Sequence, residues 1–584
     1  MNMKKLSFLF SALVAFVSAS SVGFADVRLD GDWEFRFEEG LSIEKVSLTN
    51  FAATGTMRVP GCFDAGGELR FRRGTGLYRR AFTLDEPLGN AVLKVDGIGL
   101  RGQFMIDGRE LGVYPYPYAR LEIPVGPLGA GGHTILAAID NRLDWRTMRL
   151  ARTFYDFYFF GGFYRSVSLV EERPKVFVRT RDLATGEVEI EVKRKNKKGE
   201  SGDGGAEDAF VRFDDGKKIK VKLEAGKARV RVPDFRVWSP SAPNLHRLEL
   251  TLAKGPALTV RFGIRTVEAK NRNIYLNGEP IFLKGVNRHE QSRGHGVTMT
   301  RDECVRDLKI LKELGANFIR GAHYQQDPKF LDLCDEMGFL VWEESLGWGN
   351  GHDYTKDGPV EELKDEEFCR LQVEQTREMV RTSFNHPSVI IFAFLNECGS
   401  HKPECKKLVD SLIGTIRAED SGRLVTFACN VNDRDICNAE TDLIAFNAYP
   451  GTIPARPGTP RELKDCVRQE FNRTVRGFRK KYPEKPIMVS ESGCAGFRGL
   501  RDESAAFGTE DFQNEYLTDI LETLWANEDV AGFSIWQFAD TTTHQRNCGG
   551  KSGRIFGFSM AGLFDFERRP KASVETVRRY FSQR

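Results

Sequence analysis

A chain of 584 residues is too long for one ordinary domain and divides into about two to four. Hydrophobic residues make up 41% and charged residues 29%, the balance of a globular protein rather than a disordered or fibrous one. The formal net charge is only +3, and the absence of a basic stripe or acidic tail argues against a nucleic-acid or membrane-surface partner.

At the N-terminus Lys4 and Lys5 precede an apolar run, and the small residues Gly23 and Ala25 precede Asp26. This is the pattern of a secretory signal peptide over residues 1–25, cut after Ala25. It predicts a periplasmic or secreted protein with no membrane span after cleavage. The alternative, an uncleaved anchor helix, is disfavoured by the short apolar core. Losing Lys4 and Lys5 takes the formal charge from +3 to +1. The eleven cysteines include no CxxC pair, so zinc-ribbon spacing is missing and most are expected to be buried thiols.

Residues 26–172 read as short alternating strands with turn signals, as in AVLKVDGIGLRGQFMIDGRELGVY with Asp-Gly pairs at 96–97 and 107–108. An all-β sandwich is expected there. Residues 173–266 continue in the same style around a polar, glycine-rich loop at 195–208. Their length and strand spacing predict an immunoglobulin-like β-sandwich.

The character changes at residues 267–584. NIYLNGEPIFLKGVN is hairpin-like, and helices then alternate with apolar strands. Thr300 and Glu303 form a capping box, Leu308, Leu311 and Leu314 a helical stripe, and Gly315 a stop. Apolar strands recur at FLVWEES, VIIFAFLNE, LVTFACN, LIAFNAY, IMVSES and GFSIWQFAD. About eight such units fit a (β/α)8 TIM barrel. Strands of this kind belong to a parallel sheet buried on both faces, and the residue past each C-terminal end points into the barrel mouth.

Glu397 and Glu491 occupy such strand ends. Two carboxyl groups there suit glycoside hydrolysis, in which one protonates the leaving oxygen and the other attacks the anomeric carbon. Structural ion pairs also occupy barrel mouths, so position alone leaves both readings open.

NHPSVIIFAFLNE and IMVSESG, together with GVNRHE, RGAHY and WQFAD, resemble glycoside hydrolase family 2, the family of β-galactosidases, β-glucuronidases and β-mannosidases. The resemblance spans the mature chain and implies a jelly-roll sugar-binding domain, an immunoglobulin-like domain and a catalytic barrel. It implies Glu397 as acid/base, Glu491 as nucleophile, Asn396 as the residue hydrogen-bonding the sugar 2-hydroxyl and Tyr449 as the residue orienting the nucleophile. Trp536 resembles the tryptophan that floors the sugar site, and Asp156 matches an aspartate sent from the sandwich into it. His323, at the end of RGAHY, is either a substrate-side hydrogen-bonding residue or a structural one, while His386 precedes its strand and falls toward the bottom face. Arg288, His289 and Glu290 are expected to form an internal polar network, with Arg320 braced by a carboxylate.

The mechanism implies no metal or cofactor. Its partner is a glycoside or oligosaccharide, and a homo-oligomer is compatible with it. A non-catalytic carbohydrate-binding protein would need to lack one glutamate, and both are present. Phosphate-binding GxxxxGK[ST] and nucleophile-elbow GxSxG motifs are missing from the chain.

The sugar is less legible. β-Glucuronidases of the family carry an Asn-x-Lys element that grips the sugar carboxylate. FGFSMAGLFDFERRPK has Ser559, Met560 and Ala561 in that place. Alanine does not replace a cation there. The expectation is therefore a retaining exo-β-glycosidase for a neutral sugar, a β-galactosidase. A β-glucuronidase or other uronidase holding the carboxylate through Lys551 or Arg554, or a galactofuranosidase, is the alternative.

Overall fold

A computed structural model describes residues 26–144, 148, 150, 157–195, 201–202, 205–351, 362–452, 460–544, 554–555 and 557–583. Residues 1–25, where a signal peptide is expected, lie outside these residues, as do Asp156, Lys551 and the side chain of Arg554.

The first sandwich pairs a six-stranded and a four-stranded antiparallel sheet. Alternation dictates the packing. Gly31–Glu39 turns Trp33 and Phe35 inward, where they meet Tyr78, Phe104 and Phe163, while Leu93, Val95 and Ile123 close the core from the other sheet. Asp107 and Gly108 both have positive φ (49° and 79°) and join Arg101–Ile106 to Arg109–Tyr114. This is the tight hairpin that the second Asp-Gly pair predicts. The next sandwich stacks Lys175–Asp182, Glu187–Lys195 and Lys227–Arg231 against Ile219–Leu223, Glu207–Phe213, His246–Thr251 and Leu258–Phe262. Val188, Ile190, Val211, Leu248 and Leu250 fill the space between.

The barrel strands are β1 (Leu283–Arg288), β2 (Phe318–Gly321), β3 (Leu340–Glu344), β4 (Val389–Ala393), β5 (Leu424–Thr426 with Ala428–Cys429), β6 (Ile444–Asn447), β7 (Ile487–Ser492) and β8 (Val530–Ile535). All pair in parallel with their neighbours, β8 returns to β1, and the ring is interrupted only where Phe427 divides β5. The helices are α1 (Arg301–Leu314), α2 (Pro328–Met337), α3 (Glu366–Ser383), α4 (Pro403–Glu419), α5 (Pro460–Lys481), α6 (Glu510–Trp525) and α7 (Ser573–Phe581). The architecture is a (β/α)8 barrel with one departure: between β5 and β6 the described residues form only a 3-10 turn, Asn432–Arg434. None of the described helices is long and apolar enough to cross a membrane.

The predicted capping box at Thr300 and Glu303 is formed, and Gly315 ends α1 with φ 85°. The hairpin Asn273–Leu276 with Glu279–Ile281 places Ile274 and Leu276 in one cluster with Leu283, Leu340 and Ile390, plugging the N-terminal end of the barrel. His386 lies on that side, its Nδ1 2.6 Å from Asp335 Oδ2. The opposite mouth is left to the first sandwich. Arg165 Nη2 donates to Glu290 Oε2 at 2.6 Å, and the Tyr118 and Tyr324 rings stack with centroids 3.8 Å apart.

The predicted polar network around β1 divides in two. Arg288 Nη2 lies 3.6 Å from Asp307 Oδ2, while Glu290 takes Arg165 of the sandwich.

Candidate active site

The apolar run from Val389 to Leu395 is completely buried, and the chain then turns at the barrel mouth. Leu395 and Glu397 both adopt left-handed backbone, φ 47° and 50°. For a residue with a Cβ that conformation costs about 1–2 kcal/mol, so the surroundings must impose it. They do so through Glu397 N, which donates to Ala428 O on β5 at 2.8 Å, and Asn396 N, which donates to Gly347 O at 2.8 Å. The turn delivers two successive polar side chains at the end of one buried strand.

Glu397 is held by amides. Asn447 Nδ2 donates to its Oε1 at 2.8 Å and Asn430 Nδ2 to its Oε2 at 3.2 Å. Ser490 Oγ donates to Asn447 Oδ1 at 2.7 Å, which turns the amide nitrogen toward Glu397 and toward Asn396 Oδ1, 3.1 Å away.

Glu491 is held by a cation and a phenol. Arg320 Nη1 donates to its Oε1 at 2.5 Å and Tyr449 Oη to its Oε2 at 2.7 Å. Arg320 is fully buried, and its other face is satisfied by Glu344, which accepts from Nε at 3.1 Å and from Nη2 at 2.8 Å. Trp342 Nε1 and Arg320 both donate to Glu344 Oε2. Burial pushes the Glu344 carboxyl upward, and the Arg320 guanidinium opposes it. A guanidinium between two buried carboxylates offsets the large cost of burying each charge. Two residues after Glu491, Gly493 permits a close approach of the ends of β7 and β8, because a Cβ there would fall 2.0 Å from Trp536 O.

His323 is buried, with Nδ1 3.1 Å from Glu344 Oε1 and Nε2 3.7 Å from Glu491 Oε1. Burial, its largest cause, lowers its pKa from 6.5 to about 3, so the imidazole is neutral at ordinary pH. Its ring stacks on Trp536 with centroids 5.3 Å apart. Trp536 packs with Ala322, Ala561 and Tyr449 as an apolar floor. The Nδ2 of Asn396 is buried and meets no acceptor among the described residues.

Six of the seven residues expected at the site thus come together: Glu397, Glu491, Asn396, Tyr449, His323 and Trp536. Asp156 lies outside the described residues, although the next residue, Phe157, has its ring 6.1 Å from that of His323. Glu344, Asn430 and Asn447 were missed individually. Each closes an apolar strand, which is the criterion that singled out Glu397.

Of the residues expected in place of the lysine element, Ala561 packs against Trp536, and Ser559 Oγ lies 3.4 Å from Gln537 Nε2. Among the described residues, a group with metal-ligand spacing occurs at Asp332, Asp335 and His386, at the other end of the barrel. Arg261 Nη2 already donates to Asp332 Oδ1, and Ser388 N donates to Asp335 Oδ1.

Residues 267–583 match the family described as "Glycosyl hydrolases family 2, TIM barrel domain", and residues 171–265 match "Glycosyl hydrolases family 2". The β-glucuronidase of Canis lupus familiaris is 26% identical over 618 residues, covering 94% of this chain and 89% of that protein. Among solved structures, a GH2 β-galacturonidase from Eisenbergiella tayi bound to galacturonate superposes with a TM-score of 0.82 at 25% identity, covering 96% of this chain and 97% of that one. The β-glucuronidase of Faecalibacterium prausnitzii shares the fold with a TM-score of 0.82 at 22% identity, covering 97% and 99% of the two chains.

Proposed function

The chain belongs to glycoside hydrolase family 2 and is a glycoside hydrolase; on that premise we propose that it is a retaining exo-β-glycosidase for terminal β-linked uronic acids, with Glu491 as nucleophile and Glu397 as acid/base. The observation carrying the division of roles is the contrast between the two carboxyl groups. Glu491 has a guanidinium on one oxygen and a phenol on the other, and among the described residues Glu397 accepts from the Asn447 and Asn430 amides.

The guanidinium and the phenol together fix both oxygens of Glu491, which orients the carboxylate for attack. In the first step Glu491 bonds to the anomeric carbon while the bond to the leaving oxygen breaks, and that oxygen takes the proton of Glu397. In the second step Glu397 takes a proton from water. The water oxygen bonds to the anomeric carbon, and Glu491 departs as a carboxylate. The buried Asn396 Nδ2 is the donor to the sugar 2-hydroxyl, a contact that strengthens as positive charge develops on the ring. The Trp536 ring supports an apolar sugar face. Neutral His323 adds a ring nitrogen beside Glu491 without a second positive charge.

The uronic acid is supported by the relatives, whose names are β-glucuronidase and β-galacturonidase. One observation favours a second reading, a β-galactoside: the Ala561 methyl lies against Trp536 in place of a cation. Comparison of kcat/KM on nitrophenyl glucuronide, galacturonide and galactoside separates the two. A uronide should be preferred, and its preference should survive alanine substitution at Ser559. A preference for galactoside would replace the uronic acid reading with the second one and leave the two-glutamate chemistry standing.

The N-terminal leader supports export, which a fractionation of cells producing the full chain would test.

A further inference from the structure

At the N-terminal end of the barrel, away from Glu397 and Glu491, a cleft of about 190 Å3 opens between the second sandwich and the links from α3 to β4 and from α4 to β5. Three arginines line it: Arg179 on Lys175–Asp182, Arg265 just past Leu258–Phe262, and Arg423 before β5. Two carboxylates share the walls. Glu268 is held by Lys270 at 2.6 Å, and Asp420 Oδ2 accepts from Arg423 Nη1.

Arg265 is left without a counter-charge. It is 8% exposed, and no carboxylate among the described residues lies within ion-pairing distance of it. Its Nε donates to Pro387 O at 3.1 Å and its Nη2 to Val389 O at 2.7 Å, while Nη1 meets no acceptor among the described residues. Carbonyl oxygens satisfy N–H groups but carry no net charge, and a buried charge is ordinarily paired. Burial and then the neighbouring Arg423 charge push Arg265 down from 12.5 to about 9. Arg179 has an open donor as well. Its Nε is buried without a hydrogen-bond acceptor among the described residues, 3.7 Å from Asp420 Oδ1.

We propose that this cleft binds inorganic phosphate, which accepts from Arg265 and Arg179 and so joins the second sandwich to the barrel. A tetrahedral oxyanion presents several acceptors at once and suits the planar donor fork of a guanidinium. Asp420 decides between oxyanions. Its Oδ1 accepts from Gly422 N at 2.7 Å and has room for a second donor. Hydrogen phosphate carries an O–H that donates to this carboxylate, whereas sulfate has none and meets it as a bare like charge. None of the cleft residues belongs to the set around Glu397 and Glu491, so the bound anion acts on the junction between domains and not on hydrolysis.

The full chain is titrated calorimetrically with phosphate and, separately, with sulfate at a constant ionic strength set by sodium chloride. One phosphate per chain should bind saturably, with sulfate weaker by about tenfold or more. Arg179→Gln should weaken phosphate binding by about tenfold or more while turnover of a nitrophenyl glycoside keeps its wild-type rate. Arg265→Lys, which keeps the charge but not the fork of donors, should weaken it as well. The melting temperature gives a second reading. Exclusion of phosphate from protein surfaces raises it in wild type and variants alike, and a bound phosphate adds a further rise in the wild type only. No saturable phosphate binding, equal affinity for sulfate, unchanged affinity in Arg179→Gln, or displacement of phosphate by free glucuronate would each overturn the proposal.

Discussion

Tyr449→Phe removes one hydroxyl and nothing else from the site. The ring keeps its contacts with Trp536, Ala322 and Ala561, while Glu491 Oε2 loses the donor 2.7 Å away. Oε1 retains Arg320. A hydrogen bond to a charged group is worth about 1.5–3 kcal/mol, which is about tenfold to a hundredfold in rate if it orients the attacking carboxylate. The assay is kcat/KM on a nitrophenyl glycoside, accompanied by the rate of covalent inactivation by the matching 2-deoxy-2-fluoro glycoside. Inactivation isolates the attack of Glu491, so both rates should fall together while the melting temperature stays near that of the wild type. Inactivation at the wild-type rate alongside a reduced kcat/KM would show that the hydroxyl serves something other than the nucleophile. A fall in both rates that follows loss of folding would also refute the reasoning.

Asn396→Ala should cost about a hundredfold on a glycoside bearing the 2-hydroxyl and less than about threefold on its 2-deoxy counterpart, because the missing donor then has no partner. A equal loss on the two substrates would remove the 2-hydroxyl assignment. Glu344→Gln breaks a buried ion pair with Arg320 and should lower stability by about 3 kcal/mol or more, read as a reduced urea midpoint with an unchanged slope. His323 binds a proton in the unfolded chain below pH 6.5 but not in the folded one until about pH 3. Its contribution therefore makes stability fall as pH drops through that window, by roughly 1.4 kcal/mol per pH unit. Urea unfolding of His323→Gln between pH 6.5 and 4 should be shallower in pH by about that amount, and an identical pH dependence would refute the buried-neutral assignment.

Strand alternation, the Asp-Gly turn at 107–108 and the capping box at Thr300 are local features, and each appears where its spacing places it. The barrel was legible for a similar reason: strands buried on both faces leave continuous apolar runs that end abruptly in polar residues. Glu344, Asn430 and Asn447 end such runs as visibly as Glu397, yet which strand tips converge depends on the closed ring rather than on any one segment. The amide cradle around Glu397 draws on β5, β6 and β7, segments separated by up to 93 residues between Glu397 and Ser490. Nothing local predicts that the β5–β6 connection dispenses with its helix. Sugar choice was least legible, because the missing lysine at Ala561 says what does not hold a carboxylate and leaves open what does.

The central claim is that Glu491 attacks and Glu397 exchanges the proton. Product stereochemistry in azide tests it most directly, with Glu491→Ala and Glu397→Ala assayed on an activated aryl glycoside. Azide should enter the space left by the missing nucleophile and give an α-glycosyl azide from Glu491→Ala. In Glu397→Ala it should instead intercept the glycosyl-enzyme and give the β-glycosyl azide. The opposite pairing of variant and anomer would contradict the account by exchanging the two roles.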